Sequence, residues 1–86
     1  MAEVIVYATA WCPYCHAAKR LLTEKGVAFT EVDVTGRPAE RAEMARLAQG
    51  RTTVPQIFID GTPIGGYDDL AQLEDSGALD SRLGCA

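Results

Sequence analysis

The 86-residue sequence contains no apolar run long enough to cross a bilayer as a helix, which takes about 20 residues. It also lacks any cluster of Lys and Arg interleaved with aromatic residues. Eight basic side chains stand against twelve acidic ones, a net charge of -4, so neither nucleic acid nor a membrane surface is an expected partner. Cysteine is sparse: three residues are an odd number and too few for a disulfide framework. With no basic leader in MAEVIVYATA, which reads as a mature strand and not a signal peptide, this points to a reducing compartment, the cytoplasm. Neither a second CxxC nor an HxxxH accompanies the one histidine, which argues against a zinc site. No repeat, low-complexity tract or linker divides the chain, so residues 1–86 read as a single domain with 84–86 as a flexible tail. The remaining composition, 48% hydrophobic and 23% charged, is that of an ordinary globular protein and excludes a disordered one.

Periodicity supplies the elements. Val4-Ile5-Val6-Tyr7 is a continuous β-branched run suited to a strand buried on both faces. From Pro13, acceptable at a first helical position, the spacing turns helical, with Tyr14, Ala18, Leu21 and Leu22 on one face and Gly26 as the stop. A second strand is expected over Val27 to Val34, then a helix from Gly36-Arg37-Pro38 carrying Met44, Leu47 and Ala48 on its apolar face before Gly50. Gln56-Ile57-Phe58-Ile59 and Thr62-Pro63-Ile64 flank Asp60-Gly61, a strong hairpin signal. Asp68 or Asp69 can cap a last helix that holds Leu70 and Leu73 and continues to Leu79 and Leu83. The expected fold is α/β: a small mixed four-stranded sheet, made of a parallel βαβ unit and an antiparallel hairpin, with helices on both faces.

On that frame the stretch Ala10-Trp11-Cys12-Pro13-Tyr14-Cys15-His16 places Cys12 at the cap of the first helix and Cys15 in its first turn. Redox dithiol, half a zinc site, iron-sulfur scaffold and c-type haem attachment all use two thiols at this spacing. Haem attachment matches CPYCH, with Met44 as an axial ligand, but requires export and a large apolar pocket. His16 reads as a partly exposed helical residue, neither ligand nor base. A helix N-terminus favours an anion, so Cys12 is expected to serve as thiolate nucleophile. Residues at i and i+3 lie about 5–6 Å apart, within the range a disulfide spans. Because the closed loop is so small, the bond adds little stability and should be readily reduced. A reversible dithiol is therefore the expected chemistry.

Three motifs, Cys12-Pro13-Tyr14-Cys15, Thr53-Val54-Pro55 and Gly65-Gly66-Tyr67-Asp68-Asp69, come in the order and spacing of one family. Through them nearly the whole chain resembles the dithiol glutaredoxins of the bacterial CPYC type, members of the thioredoxin superfamily. The resemblance implies a thioredoxin-like fold, a cis Pro55, and glutathione-dependent reduction of protein disulfides and protein-glutathione mixed disulfides through a Cys12-Cys15 redox disulfide. It implies glutathione as co-substrate and no bound cofactor or metal. The expected partners are glutathionylated or disulfide-containing proteins, ribonucleotide reductase among them, met by a monomer. Glutathione-binding positions carried over are Tyr14, Thr53, Val54, Pro55, Gly66, Tyr67, Asp68 and Asp69, with Asp69 meeting the ammonium of the γ-glutamyl group. The residues have physical reasons of their own: Pro55 opens a strand, where a missing N–H is tolerated. Val54 could pair its main chain with an extended ligand. Gly65 and Gly66 allow close approach, and the N–H groups at Asp68 and Asp69 suit a carboxylate.

The chain departs from the pattern in places. Thr9 stands where many relatives have a lysine, which leaves Arg51 or Lys19 to compensate; Trp11 before Cys12 is also typical of thioredoxins, and Tyr67 replaces an additional cysteine of several bacterial relatives. Cys85 is expected to be an exposed thiol near the chain end. A minority alternative from another class is a glutathione-assisted 2Fe-2S cluster carrier, with Cys12 from two chains as ligands.

Overall fold

The computed structural model describes residues 2–84. Cys85 and most of the expected 84–86 tail lie outside them; Gly84 is the C-cap of the last helix. The elements run β1 (Val4–Ala8), α1 (Pro13–Glu24), β2 (Thr30–Asp33), α2 (Pro38–Leu47), β3 (Gln56–Ile59), β4 (Thr62–Gly65), α3 (Tyr67–Asp75) and α4 (Ala78–Leu83). One four-stranded sheet has the order β2-β1-β3-β4, in which β1 and β2 are parallel and the other two pairs antiparallel. This is the expected βαβ unit with a hairpin joined to it through β1 and β3.

The register sorts side chains by face. Val4 pairs with Ile59 and Val6 with Ile57, and these four join Ala8 in a cluster closed by Cys15, Ala18 and Leu22 of α1, Leu70 of α3, and Leu79 and Leu83 of α4. The alternate residues, Ile5 against Phe58 and Tyr7 against Gln56, take the opposite face. There Tyr7 meets Phe58 edge to face at 5.5 Å between ring centroids. A second buried set, Val34, Met44, Ala48 and Phe58, stands apart from the first cluster; α2 supplies Met44 to it and Ala48 is the C-cap of α2. Asp60 and Gly61 both have positive φ, 52° and 79°, as a tight hairpin turn of the primed type requires. Pro63 is confined to the edge strand β4, where its missing N–H interrupts no interior ladder.

Several expectations are corrected. β1 is fully buried on one face only, Ile5 and Tyr7 being half-exposed. The second strand is Thr30–Asp33 and not Val27 to Val34: its partner offers only Ile5–Ala8, and the Val27 N–H is taken by the Leu22 carbonyl at the end of α1. Tyr14, placed on the apolar face of α1, is 61% exposed: its ring turns away from the core cluster that holds Cys15 and stacks on Tyr67. Leu47 is half-exposed, since Met44 and Ala48, four residues apart, form the narrow stripe that α2 buries. The last helix is two helices, broken where Gly77 adopts φ 79°. Its first part is capped by Gly66 and not by Asp68 or Asp69; Asp69, at the third helical position, instead accepts a hydrogen bond from the Gly66 N–H at 3.0 Å.

Candidate active site

Cys12 is the N-cap of α1, with extended backbone at φ -102° and ψ 110°. Its Sγ accepts the Cys15 N–H at 3.1 Å, so sulfur does what a Ser or Asp oxygen does at most helix starts. On its other side Sγ lies 3.7 Å from the Val54 carbonyl oxygen, toward which the thiol can donate weakly. Both thiols are free, but their surroundings differ: Cys12 is half-exposed and Cys15 buried. Burial first, and then the hydrogen bond to Cys12, push the Cys15 thiol up to about 12, so Cys15 keeps its proton at neutral pH. His16 is exposed and its ring nitrogen sits 3.2 Å from the Ala10 carbonyl oxygen, which ties down the loop ahead of Cys12. Among the described residues no three of His, Cys, Asp and Glu gather into a metal-binding group.

Three chain segments wall an open cleft of about 240 Å³ beside this cap. The first turn of α1 contributes Tyr14; the segment before β3 contributes Arg51, Thr53, Val54 and Pro55, with a cis Val54-Pro55 bond; the start of α3 contributes Gly66, Tyr67, Asp68 and Asp69. Tyr14 and Tyr67 stack at 6.3 Å with planes 30° apart, linking the first wall to the third. The structure thus brings together all eight non-cysteine positions named from the sequence. Cys12 adjoins them through Val54, and Cys15 lies beneath.

Arg51 is the cleft residue that the sequence left unplaced. Its Nη2 is 3.2 Å from Asp69 Oδ2, so cation and carboxylate meet in the cleft wall. Lys19, the other candidate to compensate for Thr9, is instead paired with Glu31 at 2.8 Å and lines no part of the cleft. The signal for Arg51 was its position two residues before Thr53, but only the chain reversal after α2 turns that into proximity. The Arg51-Asp69 pair depends on Gly65, whose φ is 117°: a Cβ there would overlap Asp69 Oδ2 and fall 2.5 Å from Arg51 Nη1.

Comparison with known proteins agrees with this arrangement. The glutaredoxin family model matches residues 4–64. A glutaredoxin of Pseudomonas aeruginosa is 57% identical over 83 residues, covering 96% of this chain and 98% of that one. Glutaredoxin 3 of Escherichia coli is 54% identical over 83 residues, with 96% and 99% covered. Among solved structures, the glutaredoxin of Brucella melitensis superposes with a TM-score of 0.86 at 50% identity, over 99% of this chain and 91% of that one. A buckwheat glutaredoxin-glutathione complex gives 0.86 at 29% identity, over 96% and 77%. The chain belongs to the glutaredoxins, thiol-disulfide oxidoreductases of thioredoxin-like fold.

Proposed function

We propose that this single-domain glutaredoxin works as a monomer in the cytoplasm, using glutathione to reduce protein-glutathione mixed disulfides and protein disulfides through Cys12 and Cys15. The observation that carries the reading is the cleft beside the Cys12 sulfur, because its walls match the three parts of glutathione. Val54 lies two residues before β3 begins at Gln56, so its main-chain groups are not part of that strand and can pair with a short extended peptide. The start of α3 offers N–H groups that suit a carboxylate, and the acidic Asp69 in the same wall supports the reading that it meets an ammonium. Arg51 supplies a cation for the second carboxylate where Thr9 does not. The buckwheat relative was crystallised with glutathione, which supports the same ligand here.

The exchange follows from the two thiols. The Cys12 thiolate attacks the glutathione sulfur of a protein-glutathione disulfide; a Cys12-glutathione bond forms as the protein thiolate leaves and takes up a proton. A second glutathione thiolate then attacks the glutathione sulfur on Cys12, releasing oxidised glutathione and regenerating Cys12. With a protein disulfide, Cys12 forms the mixed disulfide and Cys15 resolves it, closing the Cys12-Cys15 bond that two glutathiones reopen. Cys15 holds its proton until that step, so it does not compete as first nucleophile.

The test is turnover of a small glutathione mixed disulfide coupled to glutathione reductase and NADPH. Wild type and Cys15→Ser are expected to be active, and Cys12→Ser to fall to background. A wild type without activity overturns the reading.

A further inference from the structure

Among the described residues Gln56 is the one buried polar side chain, only 1% exposed, in a strand whose other three members are buried and apolar. It follows cis Pro55 directly, and its side chain turns back along the chain. Nε2 donates to the Thr53 carbonyl oxygen at 2.9 Å and approaches Thr53 Oγ1 at 3.3 Å. A carbonyl oxygen can only accept, so the amide nitrogen must face it, which fixes the orientation of the carboxamide. Its other atom, Oε1, is then buried and meets no donor among the described residues. An unpaired buried acceptor costs free energy that an apolar side chain of the same shape would avoid.

A core position that tolerates such a cost while an apolar residue would fit is a local conflict of the kind found at functional sites. The hydrogen bond spans the two residues, Val54 and Pro55, that enter the cleft wall beside Cys12. We infer that Gln56 is a positioning residue: by clamping Thr53 from inside the core it holds the Val54 main chain in the one orientation that receives glutathione. The inference rests on the reading of the cleft as a glutathione site. Ligand binding depends on the clamp, whereas the sulfur exchange at Cys12 does not.

The distinguishing variant is Gln56→Met, close in volume and without either amide atom. The KM for a glutathionylated substrate is expected to rise roughly tenfold, the worth of one hydrogen bond, with kcat within about twofold of wild type. The thermal midpoint is expected to stay level or rise, because the unpaired acceptor has gone. Gln56→Leu carries the same expectation and replaces it should Gln56→Met not fold. Unchanged KM overturns the inference, as does a fall in midpoint with reduced kcat and constant KM, which is the signature of a merely structural role. Wild type assayed alongside separates the two readings: an inactive wild type removes the glutathione site itself, and an active one beside an unaffected variant removes the clamp alone.

Discussion

Cys12 and Cys15 are neighbours on one helix turn, yet one sulfur is half-exposed at the cap and the other is sealed beneath it. That difference is set by packing: Cys15 belongs to the cluster with Ala18 and Leu22, while Cys12 precedes the helix. Since burial is the largest cause holding the Cys15 thiol up at about 12, removing Cys12 does not free it. Burial remains when Cys12 is replaced, so Cys15 stays largely protonated at pH 8. In a Cys85→Ser background, iodoacetamide at pH 8 is therefore expected to alkylate Cys12 readily. With Cys12→Ser added, labelling of Cys15, followed by mass spectrometry, should be at least about a hundredfold slower. Comparable rates would show that Cys15 is accessible and ionised, contrary to this structure. At this scale the sequence was informative where the signal is local. The CxxC spacing and Pro13 sufficed to put Cys12 at a cap, whereas Arg51 and the inward turn of Gln56 depend on the chain path after α2.

The elements that build the cleft are short, and their junctions do the placing. Gly65 ends β4 with a backbone that only glycine adopts freely, and Gly66 then caps α3 while Asp69 reaches back to its N–H. Gly65→Ala would force a Cβ onto the Asp69 carboxylate and the Arg51 guanidinium, so both side-chain ends must shift from their present positions in the cleft wall. The expected result is a loss of about 1–3 kcal/mol in stability from the strained backbone, together with a raised KM for the glutathionylated substrate. Equal denaturation midpoints and KM values for variant and wild type would refute this. Element boundaries were the less legible part of the sequence. The Asp60-Gly61 turn and the apolar runs of β1 and β3 carry their own signals, but the length of β2 is set by what β1 can pair with, and periodicity in Val27 to Val34 does not report that. The break at Gly77 was likewise hidden, because Leu79 and Leu83 are buried whether the helix runs on or restarts.

At the scale of the whole molecule, the helices on one face of the sheet are joined at the end remote from the cleft. Lys25, the C-cap of α1, contacts Glu74 of α3 and Asp80 of α4, both at 2.7 Å, with its own side chain largely covered. Cys12 and Lys25 are the two caps of this 12-residue helix, so at about 1.5 Å per residue the junction lies roughly 20 Å along the helix from Cys12. The two carboxylates, Asp80 ahead of Glu74, raise the Lys25 ammonium above its ordinary value. A lysine raised on folding stabilises the folded state fully below its unfolded value, about 10.4, and loses that contribution as pH climbs through the higher folded value. Lys25→Met is accordingly expected to unfold at lower urea than wild type at pH 7, with kcat and KM for the glutathionylated substrate unchanged. The gap between the two proteins should narrow once the pH passes the raised Lys25 value, while other groups that titrate there act on both alike. Added salt at pH 7 should narrow it too, since the pairs are partly open to solvent. A gap of the same size at neutral and strongly alkaline pH would mean that Lys25 stabilises the helix layer through its methylene stem and not through its charge.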